Sequence, residues 1–72
     1  MDKTDELIGE YWQAAKEKGY NDVRAECLLA LACSQQAEER YGSLERAVAA
    51  LLLLCRTCKD DAECEAKFCG EA

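Results

Sequence analysis

An unbroken apolar run from Ala47 to Cys55, opened by Ser43-Leu44-Glu45-Arg46 and followed by Arg56, constrains this chain more than any other stretch. Ser43 suits an N-cap, and Glu45 and Arg56 sit at the ends where the helix macrodipole favours their charges, so the run reads as a helix. It is apolar around its whole circumference, whereas a surface helix shows one apolar stripe. Far short of the roughly 20 residues that span a bilayer, it must find its cover in protein.

The rest of the chain reads as helices that could supply that cover. Proline is absent, and three of the four glycines, Gly19, Gly42 and Gly70, stand where the helical pattern stops. Thr4 is a candidate N-cap for a first helix with Leu7, Ile8, Tyr11, Trp12 and Ala15 on one face; Gly9 inside it marks a candidate close crossing. Asn21 or Asp22 caps a second helix running through Leu28 and Leu31 to Tyr41, and its middle, Cys27 to Cys33, is also apolar on every side. Asp60 with Glu63 has capping-box spacing and starts a short last helix. The expected fold is all-α, one domain over residues 1–72. It is a small bundle of four helices, roughly 5–18, 22–41, 44–58 and 61–69.

At this length only about 60% of the unfolded surface is buried, so the core alone is marginal and extra support is expected. Two all-apolar helices point to a second copy of the chain. A homodimer is therefore expected, with Cys27, Leu28, Leu31, Leu51, Leu52, Leu53 and Leu54 at its interface.

Six cysteines and no histidine narrow the chemistry further. The opening Met1-Asp2-Lys3-Thr4-Asp5-Glu6 has no basic segment leading into an apolar one, so no secretory leader and a reducing, cytoplasmic setting are expected. Cys27 and Cys33 are about 9 Å apart along one helix, too far to bridge, and read as buried packing. The other four are written C-x2-C-x5-C-x4-C. Their near-symmetry about residues 61 and 62 allows nested disulfides, Cys55–Cys69 and Cys58–Cys64. It also allows zinc bound by all four thiolates, Cys55, Cys58, Cys64 and Cys69, or simply free thiols. On a regular helix Cys64 and Cys69 diverge by about 140°, so the nested pairing requires that helix to loosen before Cys69. Cys55-Arg56-Thr57-Cys58 stands at a helix C-terminus, whose dipole disfavours thiolate, and so is a poor redox pair.

No catalytic constellation is recognisable. Without histidine there is no imidazole base, no glycine-rich loop cradles phosphate, and the adjacent acids Glu38-Glu39 and Asp60-Asp61 diverge by about 100°. Trp12 reads as the rim of the first helix. A net charge of −6 without any lysine or arginine cluster disfavours nucleic-acid binding. Most charges fit the helix dipoles, but Glu38 and Glu39, near a helix end, do not, and they are the best acidic candidates for a partner contact. By elimination the sequence points to a non-enzymatic interaction protein with no cofactor. The alternatives are a zinc module and an acidic mimic of nucleic acid.

Overall fold

The computed structural model describes residues 2–70. Among them are five helices and no strand: α1 Lys3–Glu17, α2 Asp22–Ala32, α3 Gln35–Tyr41, α4 Leu44–Thr57 and α5 Asp61–Phe68. None is long and apolar enough to cross a membrane.

Each helix begins on a short polar side chain that accepts a backbone N–H of the first turn. Asp2, Asn21, Ser34, Ser43 and Asp60 receive the N–H groups of Thr4, Val23, Ala37, Arg46 and Glu63. The first cap is thus Asp2 in place of the expected Thr4. The end of α1 is closed by Gly19, whose φ of 81° lets the N–H of Tyr20 reach back to the carbonyl of Ala15 and its own N–H to that of Lys16. That double closure folds the Tyr20 ring back towards the core.

The expected second helix, 22–41, is two helices. Cys33 leaves the helical region and Ser34 is extended at φ −77°, ψ 157°. The Ser34 hydroxyl donates to the carbonyl of Leu31 at 2.7 Å and accepts from the N–H of Ala37 at 3.2 Å. Serine offers the backbone this alternative wherever tertiary packing favours a bend. Here the bend lays Ala37 into the core and stacks Tyr41 on Phe68 of α5, ring centroids 4.9 Å apart.

Helix α4 is the axis, packing against all four other helices and most extensively against α1. It buries Ala47, Val48, Leu51, Leu52 and Cys55. Opposite lie Tyr11, Ala14 and Ala15 of α1, Ala25, Leu28 and Ala32 of α2, and Cys64 and Phe68 of α5. Alanine on the facing sides lets these helices approach closely. The Tyr11 hydroxyl, wholly buried, donates to the carbonyl of Ala25 at 2.7 Å and ties α1 to α2.

Five helices enclose what four were not expected to. Leu28 and Leu51 have no exposed surface and Leu52 only 6%. These three belong to the core of a single chain, which corrects their assignment to a dimer interface. The radius of gyration, 11.0 Å, is that of a single domain of this length, about 11 Å. The bend at Ser34 and the return of α5 supply the cover that a second copy was expected to give.

Gly9 is also corrected. It lies on the exposed side of α1, and a methyl group added there would meet nothing within 4 Å. With no close crossing to preserve, Gly9→Ala should raise stability by about 1 kcal/mol, because alanine gives up less backbone entropy in a helix. Urea unfolding followed by circular dichroism checks this; a loss of stability would show that the position is crowded.

Candidate functional site

The thiols were the leading chemical candidates, and the structure separates them. Cys27 and Cys33 are exposed rather than buried, Cys55, Cys58 and Cys64 are wholly enclosed, and Cys69 is half-buried. All six are free. Cys55 and Cys58 end α4 and face Cys64 of α5 closely enough for each to oppose ionisation of the Cys64 thiol. Cys69 is elsewhere, beside Tyr41, Arg40 and Phe68. The reason is that α5 does not loosen: Cys69 stays in the right-handed helical region and its N–H reaches the carbonyl of Glu65. The helical divergence of Cys64 and Cys69 therefore persists, and the nested Cys55–Cys69 pairing finds its partners on different sides of the helix. Among the described residues no three histidine, cysteine, aspartate or glutamate side chains are placed to hold a metal ion. The four-thiolate set expected for zinc is not gathered.

What surrounds the enclosed thiols explains their state. Burial pushes Cys64 up to about 12, with Cys55 and Cys58 adding to the rise, and burial likewise raises Cys55. Tyr20, folded in by the α1 closure, sets its hydroxyl against Cys55 and Cys64, with no partner in hydrogen-bonding geometry among the described residues. Burial raises that phenol too. Lys18 donates from Nζ to the carbonyl of Cys58 at 2.9 Å, placing its charge at the C-terminal end of α4 where the helix dipole favours it. A nucleophilic cysteine needs an accessible thiolate, and this pocket withholds both access and ionisation. The sequence carried a signal for Tyr20 that periodicity overlooks: an aromatic residue directly after a helix-ending glycine.

A different surface stands out on α2 and α3. With Ala25, Leu28 and Ala32 turned inward, α2 still presents Val23, Cys27 and Ala30 to solvent, and Val23 is 67% exposed. Their spacing of four and three residues places them on one side of the helix. Beyond them, at the bend, lies an open groove of about 650 Å³ lined by Cys33, Gln35, Glu38, Glu39 and Gly42. Of the residues expected at an interface, Cys27 is thus on this surface. Leu31 and Leu54 are half-buried, and Leu53 is 62% exposed on α4. Trp12, 36% exposed, packs edge-on against Tyr11 as the rim of α1.

The charges of α2 and α3 are sorted by sign. Arg24 reaches across to Asp61 and Glu65 of α5, with its Nε 3.0 Å from Asp61. Arg40 turns its guanidinium to the carbonyl of Phe68 at 3.4 Å. Both cations of the two helices are therefore engaged by α5, while Asp22, Glu26, Glu38 and Glu39 are exposed.

Compared with protein-family models, curated proteins and solved structures, the chain matches none.

Proposed function

We propose that this protein is a non-enzymatic interaction module whose contact surface is the outer side of α2 and α3. The observation that carries this reading is the double-sided apolar character of α2. One side fills the core through Ala25, Leu28 and Ala32, and the opposite side keeps Val23, Cys27 and Ala30 in water. Leaving such a stripe uncovered forgoes the burial of apolar area that stabilises most protein associations. The enclosure of Cys55, Cys58 and Cys64 supports the same reading, since burial keeps these three thiols from acting as nucleophiles and leaves only Cys27, Cys33 and Cys69 within reach of solvent.

The test is positional. A photoreactive side chain in place of Ala30, introduced in the native cells, should give one dominant cross-linked product. Excess unmodified protein should suppress it, and the Val23→Glu variant should suppress it at least about tenfold less well, the loss expected from placing a charge in an apolar contact. The same reagent in place of Glu45, at the start of α4, should not give that product. Equal products from both positions, or no suppression by unmodified protein, would remove the surface from consideration.

A further inference from the structure

We infer that the outer face of α2 and α3 receives a basic amphipathic helix presented by a partner protein. This rests on reading that face as a contact surface and adds the chemistry of what binds there.

The face joins two features that a cationic helix would meet together. An apolar stripe, Val23, Cys27 and Ala30, runs along α2 for about 10 Å, and the polar groove opens past the end of that helix, beside Cys33, Glu38 and Glu39. Ala30, small and exposed on the stripe, leaves room for another backbone to come close, which favours a helix laid along α2 by its apolar side. No strand edge exists among the described residues to recruit an extended peptide. On α2 and α3 the four exposed acids, Asp22, Glu26, Glu38 and Glu39, outnumber the two arginines, Arg24 and Arg40, while Arg46 of α4 lays its guanidinium against Gly42 at the groove.

That acidic excess has a structural origin. Arg24 and Arg40 would otherwise neutralise half of the acids on these two helices, and α5 holds both of them away from the outer face. A second copy of this chain is the wrong occupant, because a two-fold contact would set carboxylate against carboxylate between bodies that each carry −6. Nucleic acid is repelled for the same reason. A lysine- or arginine-bearing helix satisfies both the apolar stripe and the acids around it.

The probe is a fluorescent synthetic helix of about 18 residues with leucines along one side and lysines on the other, followed by anisotropy. It should bind, and binding should weaken steeply between about 0.05 and 0.5 M salt. The double variant Glu38→Gln, Glu39→Gln should weaken binding about tenfold, the combined loss of two exposed ion pairs. Neutralising the same number of acids on α1, Asp5→Asn with Glu6→Gln, should change it less than about twofold. A glutamate version of the helix should not bind.

Equal binding of a scrambled lysine peptide, or equal weakening by the α1 variant, would show general acidity rather than a site and overturn the inference. So would a concentration-dependent dimer abolished by Ala30→Glu, which would make a second copy the occupant. If the peptide fails while the photoreactive group at position 30 still captures one suppressible product, the basic helix is wrong and the contact surface stands. Failure of both removes the surface itself.

Discussion

Leu51→Ala should destabilise this protein by about 3 to 5 kcal/mol, the cost of removing a leucine from a filled core that relaxes only partly around the cavity. Leu51 has no exposed surface and lies midway along α4, the helix that touches all the others. For a chain of 72 residues the total stability is about 4 to 11 kcal/mol, so the variant should lose a large fraction of it and unfold at a much lower urea concentration than the parent. Leu53→Ala, two residues along and 62% exposed, should change stability by no more than about 0.5 kcal/mol. The contrast between neighbouring leucines decides which of them serve the single chain. Urea unfolding at two protein concentrations a hundredfold apart is the measurement. A midpoint independent of concentration places Leu51 in a monomer core, whereas one that rises with concentration would return it to a subunit interface.

The ends of the helices were legible because capping is local chemistry. Ser43 and Asp60 were read as N-caps from their own neighbourhood, and both accept the N–H three residues on. Gly19 and Gly42 were read as stops, and both take the positive φ that closes a helix without a Cβ clash. The break at Ser34 was not legible. Leu31 to Gln36 contains neither glycine nor proline, and a serine hydroxyl bends a helix only if tertiary contacts reward the bend. The reward here is distant in sequence, since it brings Ala37 to α4 and Tyr41 to Phe68.

Burial and its opposite were confused for a related reason. An apolar circumference says that a helix wants cover but not which element provides it, so Leu28, Leu51 and Leu52 were assigned to a partner when α3 and α5 already reach α4. Conversely, Cys27 and Cys33 were read as packed and are exposed. The thiol symmetry about residues 61 and 62 misled because spacing along a chain becomes opposition in space only if both arms are straight and face each other. The N-cap at Asp60 starts α5 as a regular helix, and regularity sends Cys64 inward and Cys69 to the Tyr41 side.

Stability should fall as pH rises from 8 to 10, and Cys64→Ala should flatten that fall. Burial, then Cys55 and Cys58, hold the Cys64 thiol at about 12 in the folded protein, against an ordinary 9.0 in the open chain. Below pH 9 both states keep the proton and the thiol adds no pH dependence. Between 9 and 12 the unfolded chain releases its proton while the folded one retains it, so the folded state is favoured progressively less. By pH 10 the loss from this one group is about 1.4 kcal/mol, one pKa unit's worth, and Cys55, raised in the same direction, adds to it. Tyr11, Tyr20 and Tyr41, all raised by burial from an ordinary 10.0, begin to act in the same direction as pH nears 10 and outweigh the thiols above it, which is why the window stops there. Cys64→Ala lowers stability at every pH by removing buried sulfur, so the slope and not the absolute value is diagnostic. Urea unfolding at pH 8, 9 and 10 should show a shallower decline for Cys64→Ala than for the parent. Parallel declines for parent and Cys64→Ala would mean that this thiol ionises in the folded state as readily as in the open chain. The dry corner formed by α4, α5 and Tyr20 would then have to admit water.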